Sequence, residues 1–454
     1  MNESPSRHLP WLFVPVFGIV VYLCCQSWEY ASVGTSVTVT VAMVGAVIAA
    51  RQLLRRDGLC RDALSSCVML IPFCSLMLVR LSVFDHVTLD YEWFLHPWVE
   101  RLRETGGIAG LSEPLGNYNV PYLTWLAVFS YIPIHDLYLI KLLSIMFDVM
   151  LAYFLFKLAG ELTDNPYARI LCFLIALVLP TPILNGAYWG QCDSIYAALC
   201  AAALYFAVRV PKTMQLRENY TRFNSVLCYV FAALALGYKL QAIFIMPIII
   251  PLLLAKRLSL KYVWVFPLTY LAIVAPALLA GRSITEVLTF YFVQTDSIGE
   301  GLNYNSPSIF ALFWEWDNPA MWEKLGIVFA GAVCAFVVYI AYFRRKSLDT
   351  FTLLLLTGIL AVGVPMFLPR MHDRYFFLAD VLLLPLAVTY PTIAGAVALC
   401  GFASLLGYHA YLRQAWLLTM NYGFFAIAAA MLILLITLLF RRPKPDTERL
   451  HKIR

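Results

Sequence analysis

A few ionisable residues of this chain sit within or beside long apolar runs, where a charge is costly unless it has work to do. They are Arg80, Asp90, Lys141, Asp148, Asp193, Lys239, His372, Asp373, Arg374 and Asp380. Asp90 stands in Leu89-Asp90-Tyr91-Glu92-Trp93-Phe94-Leu95. A carboxylate among aromatics beside a membrane can accept a proton; the same residue also fits the N-cap of a helix starting near Glu92. In Tyr188-Trp189-Gly190-Gln191-Cys192-Asp193-Ser194, Gln191 and Asp193 suit sugar hydroxyls and Trp189 suits stacking on a sugar ring. The alternative is a capped helix start with an aromatic belt residue. Lys239, in Gly237-Tyr238-Lys239-Leu240-Gln241, either holds a phosphate as a point charge or snorkels to the interface. Met371-His372-Asp373-Arg374-Tyr375 is either a solvated loop or a small electropositive site. In the second case Arg374 offers a fork of donors to phosphate, and His372 adds a donor or moves a proton. One carboxylate together with Lys, His and Arg suits a reaction in which an acceptor is activated while an anionic leaving group is stabilised.

Such residues need elements to position them, and composition says what kind. The chain has 454 residues, 61% of them apolar and 13% charged, with a mean hydropathy of +0.76. Soluble proteins carry about 25% charged residues, so lipid is the natural solvent for this surface. Apolar runs predict an all-α polytopic membrane protein with about fourteen spans. They fall near 11–30, 35–54, 63–83, 138–158, 168–184, 193–209, 223–240, 241–255, 262–279, 325–343, 349–367, 376–390, 391–408 and 423–440. The first run, with only Arg7 as a fixed positive side chain ahead of it, reads as a retained helix. Threading these spans puts the basic clusters at 51–61, 209–222, 256–261, 344–346 and 441–454 on one side. The positive-inside rule makes that side cytoplasmic, with both termini.

The opposite side then carries two long segments, 84–137 and 280–324. In the first, the stretch 93–103 places Phe94, Leu95, Trp98 and Leu102 on one face, which suits a helix lying in the interface. A second short helix is predicted over 122–131, bracketed by Pro121 and Pro133. The chain reads as one integral membrane domain with a short basic tail, 441–454. The eleven cysteines form no CxxC pair and read as small buried hydrophobes. No basic segment interleaved with aromatics suggests nucleic acid.

With these motifs in order, the sequence resembles the GT-C class of polyprenyl-phosphate-sugar-dependent glycosyltransferases. It is most similar to bacterial relatives of the GPI second-mannose mannosyltransferase, and also to the glucosyltransferases that extend the lipid-linked oligosaccharide. The matching stretches begin with Leu89-Asp90-Tyr91-Glu92 with Trp98 and Gly116-Asn117-Tyr118-Asn119-Val120-Pro121-Tyr122-Leu123. They continue through Ile140-Lys141-Leu142-Leu143-Ser144 with Phe147-Asp148, Trp189-Gly190-Gln191-Cys192-Asp193-Ser194 and Tyr238-Lys239-Leu240-Gln241 to Met371-His372-Asp373-Arg374-Tyr375-Phe376-Phe377. Together they cover roughly 84–390. Two features depart from the family: Asp373 stands where eukaryotic members often carry Glu, and three spans precede Asp90 where the simplest plan has one.

The resemblance implies a GT-C fold and inverting transfer of a hexose, mannose or glucose, from a polyprenyl-phosphate donor to a lipid-linked or cell-envelope glycan acceptor. The site would face outward, with membrane lipids around it. It implies Asp90 as catalytic base and Lys239, His372 and Arg374 as holders of the donor phosphate. Tyr91, Glu92, Lys141, Trp189, Gln191, Asp193, Gln241, Asp373 and Tyr375 would bind sugar or acceptor or support the site. No cofactor is expected, because no carboxylate pair at ligand spacing occurs in the first loop beyond Asp85 and Asp90. A transporter or flippase for a lipid-linked sugar is the alternative, disfavoured because no inverted repeat is visible and the polar residues group outward. A non-catalytic accessory subunit is a third reading. A bacterial inner membrane is expected, since both glycosylation sequons, Asn2-Glu3-Ser4 and Asn219-Tyr220-Thr221, fall on the cytoplasmic side.

Overall fold

The computed structural model describes residues 9–209, 217–297, 299–313, 315 and 317–441. Arg7, Lys212, the Asn2 sequon and the basic tail beyond Arg441 lie outside them. The described chain is almost wholly helical, and nine of its helices are long and apolar enough to cross a membrane. These are Val33–Arg56, Ala63–Leu81, Asp136–Leu162, Pro166–Trp189, Leu260–Leu279, Pro319–Phe343, Thr350–Phe367, Thr392–Leu412 and Met420–Phe440. The protein is an integral membrane protein. The other five predicted spans coincide with Leu9–Cys25, Asp193–Val208, Arg217–Tyr238, Leu240–Leu254 and Phe377–Ala387.

Local chemistry sets the helix starts. Ser32 accepts from the Thr35 backbone N–H at 3.0 Å. Asp62 and Ser65 close a capping box ahead of Ala63–Leu81. Asp349 accepts from the Thr352 N–H at 2.8 Å at the head of Thr350–Phe367, and its other oxygen holds Arg441 at 2.8 Å.

The chain forms two compact units. One comprises Met1–Tyr153, Phe173–Ile195 and Pro276–Arg282; the other comprises Phe154–Cys172, Tyr196–Ala275 and Ser283–Arg454. In the first unit Leu9–Cys25 packs on Val33–Arg56 and Ala63–Leu81. The segment after the third span is helical in pieces: Tyr91–Leu95, His96–Glu104, Gly107–Ser112 and Val120–Phe129. Of the expected apolar face, Leu95 and Leu102 are buried and Trp98 is half-buried. The buried stripe is Tyr91, Leu95, Val99 and Leu102, while Phe94 is exposed. The segment includes a π turn over Tyr91–Leu95. Pro121 lies inside the first turn of Val120–Phe129 rather than ahead of it, where its missing N–H costs nothing.

In the second unit Thr350–Phe367 is the central element, buried from Thr350 to Met366. Pro319–Phe343 and Met420–Phe440 pack against it. A two-residue strand, Asn303–Tyr304, pairs in parallel with Met371–His372, with Tyr304 opposite His372. The Arg370 N–H donates to the Leu302 carbonyl at 2.8 Å. The long segment 280–324 is thereby fastened to the His372 turn. Gly407 lets this happen, because a Cβ there would lie 2.8 Å from the carbonyl oxygens of both Asn305 and Asp373.

Candidate functional site

In the first unit, Asp90 is half-buried and helical (φ −60°, ψ −37°), and its side chain caps no helix. Its Oδ2 instead accepts from the Trp189 indole N–H at 2.8 Å and from Gln191 Nε2 at 2.5 Å. Gln191 is held in turn. Its Oε1 accepts from the Tyr118 hydroxyl at 2.9 Å, and its carbonyl accepts from the Ser144 hydroxyl at 2.7 Å. Thr88 donates to the Trp189 carbonyl at 3.0 Å. The turn that presents these donors needs Gly190, whose φ is +84°. The Trp189 ring is fully buried and its N–H is given to Asp90, an arrangement that fits a supporting residue of the site. Gln191 likewise supports the carboxylate at the site. Asp193, 1% exposed, receives the Asn185 amide at 2.7 Å and is no surface ligand.

Lys141 is fully buried on the span Asp136–Leu162. Its Nζ donates to the carbonyls of Phe84 at 2.9 Å, His86 at 2.5 Å and Val83 at 3.5 Å. Asp85, in the same stretch, accepts from the Tyr138 hydroxyl at 2.6 Å and from the Glu29 N–H. These bonds fix the backbone just ahead of Asp90. Lys141→Met should therefore loosen this backbone, and faster amide hydrogen exchange over residues 83–90 than in the wild type checks this. Tyr91 is buried and donates to Asp136 Oδ2 at 3.0 Å, and proximity to that carboxylate adds to burial in holding its phenol protonated. Glu92 is exposed.

Deeper in the first unit, Arg80 and Asp148 form an ion pair at 3.0 Å with side chains 0% and 1% exposed. Arg80 also donates to the Leu177 carbonyl at 2.7 Å, and Ser194 donates to Asp148.

In the second unit, Lys239 is buried between Arg217–Tyr238 and the 3-10 turn Leu240–Ile248, with Nζ 5.9 Å from the Tyr196 ring centroid. Gln241 is buried on the same turn. His372 stacks on Tyr304 at 4.8 Å, and the Tyr375 ring is 5.2 Å away. Arg374 donates to the buried Asp373 at 3.4 Å. Burial, and then the positive charges of Arg374 and Lys239, push the His372 pKa down to about 3. Both cations thus act electrostatically on His372. His372 is a neutral hydrogen-bonding group rather than a cation.

Sequence reasoning missed Tyr118, although it lies in one of the motifs, and missed His96, His135 and Asp136 entirely. His96 Nδ1 lies 3.1 Å from Asp136, forty residues away in the chain, and no local spacing signals that meeting.

No protein-family model matches the sequence, and no curated protein matches it. Among solved structures, the chain is similar to ArnT from Cupriavidus metallidurans bound to undecaprenyl phosphate. The likeness has a TM-score of 0.49 at 13% sequence identity and covers 81% of this chain and 76% of that one.

Proposed function

We propose that this protein is an inverting glycosyltransferase of the GT-C kind. It moves a hexose from a polyprenyl-phosphate-linked donor to a lipid-linked or cell-envelope glycan acceptor on the extracytoplasmic face of a bacterial inner membrane. The observation that carries the reading is the half-buried Asp90 carboxylate, held by N–H donors of Trp189 and Gln191 instead of capping a helix. Asp90 removes the proton of the acceptor hydroxyl. The hydroxyl oxygen attacks the anomeric carbon, and the bond from that carbon to the phosphate oxygen breaks. The lipid phosphate leaves with the electron pair. Lys239 and Arg374 offset the charge that develops on it, and neutral His372 donates a hydrogen bond. The order of motifs from Asp90 to Tyr375 supports this reading, as does the electrostatic action of Lys239 and Arg374 on His372. The transfer as proposed needs no cofactor.

The test is a donor screen. Purified protein is supplied with labelled mannosyl, glucosyl, galactosyl and arabinosyl polyprenyl phosphates and membrane glycolipid acceptors. Protein-dependent transfer from a hexosyl donor, with mannose the first choice, is expected. Movement of intact donor across proteoliposomes without transfer would favour a flippase instead. For the phosphate assignment, Lys239→Ala and Arg374→Ala should each raise donor KM by about tenfold to a hundredfold, the value of a hydrogen bond to a charged group. Acceptor KM should move little; equal effects on both substrates would remove the assignment.

A further inference from the structure

On the helix His96–Glu104, His96 and Glu100 lie one turn apart on one face. Asp136, the first residue of Asp136–Leu162, comes against them, and one donor atom from each of the three lies within 4.8 Å of the others. His96 Nδ1 is 3.1 Å from both Asp136 oxygens. Asp136 is 2% exposed, whereas His96 and Glu100 are half-exposed. They open into a cleft of about 490 Å³. His135 stacks on Tyr30 at 4.0 Å along its wall, 5.9 Å from His96.

We propose that this cleft binds one divalent transition-metal cation of the zinc type through His96, Glu100 and Asp136. Two carboxylates neutralise the charge of the ion. The imidazole favours a borderline cation over calcium or magnesium, which prefer all-oxygen shells. Bonds of about 2.0–2.2 Å in tetrahedral geometry require ligand atoms roughly 3.3 Å apart. His96 and Asp136 already meet that spacing. Glu100 makes the remaining approach by leaving its exposed ion pair with Arg103. Three protein ligands leave a fourth position toward the cleft. The Tyr91 hydroxyl, 3.0 Å from Asp136 Oδ2 and 3.3 Å from His96 Nδ1, would steady the ligating carboxylate as an outer partner does. The ion would fasten the helix after Asp90 to the head of the following span, and it takes no part in the transfer.

The test uses the full chain in detergent, stripped with a chelator, then titrated with Zn²⁺ by calorimetry and with Co²⁺ by visible absorption. One ion per chain is expected, with a melting temperature that rises as Zn²⁺ is added. His96→Ala and Glu100→Gln, both at half-exposed positions that tolerate change, should each weaken binding about tenfold or more. Tyr91→Phe should weaken it roughly 10–100-fold. Asp90→Asn should bind as the wild type does, so loss of transfer and loss of metal are separable. Absence of stoichiometric binding in the wild type would overturn the proposal, as would unchanged binding in both His96→Ala and Glu100→Gln.

Discussion

Asp90→Asn is expected to fold as the wild type and to lose roughly 10²–10⁴-fold in turnover, the usual contribution of a positioned general base. The fold should survive because Trp189 Nε1 and Gln191 Nε2 are both donors to one side-chain oxygen, and the amide oxygen of Asn can accept from both. What Asn cannot do is take up the proton of the acceptor hydroxyl. Donor KM should therefore stay near its wild-type value while kcat falls. Steady-state kinetics with a labelled polyprenyl-phosphate hexose, alongside a melting curve, separate these effects. Wild-type turnover in the variant would strip Asp90 of the base role.

Asp148→Ala should destabilise the first unit by about 3–5 kcal/mol. Arg80 and Asp148 meet at 3.0 Å with essentially no exposure, on the spans Ala63–Leu81 and Asp136–Leu162. Removing the carboxylate leaves a guanidinium in an apolar interior, where its remaining neutral partners are the carbonyls of Leu177 and Leu76. Replacing both residues together, Arg80→Met with Asp148→Leu, should recover much of the loss, because no isolated charge remains. It should not recover all of it, since Leu177 O would lose a donor and the Ser194 hydroxyl an acceptor. Equilibrium unfolding in mixed micelles of the wild type, Arg80→Met, Asp148→Leu and the double variant measures the coupling. Additive losses would mean that the pair acts only as two separate side chains.

Much of the architecture was legible because a bilayer imposes one rule on every span, a long apolar helix. Helix phase in the loop segment was less legible: the inward stripe takes Tyr91 and Val99 alongside Leu95 and Leu102, and apolar side chains stand on both sides of that stripe. At the site, Asp90 was singled out because a carboxylate beside an apolar run is conspicuous in composition. The hydrogen bond from the Trp189 indole to Asp90 is not legible in the sequence, since the two residues are ninety-nine positions apart. The pairing of Asn303–Tyr304 with Met371–His372 and the meeting of His96 with Asp136 join residues far apart in the chain. Nothing in two-residue strands or lone histidines announces such partners.

The anomeric configuration of the product tests the account most directly. A donor of known configuration, offered to purified protein with its acceptor and followed by NMR to the new glycosidic bond, reports how the carbon was attacked. A base that activates the acceptor for direct displacement predicts the opposite configuration in the product. Retained configuration would contradict the account, because it requires a covalent nucleophile in place of the base assigned to Asp90.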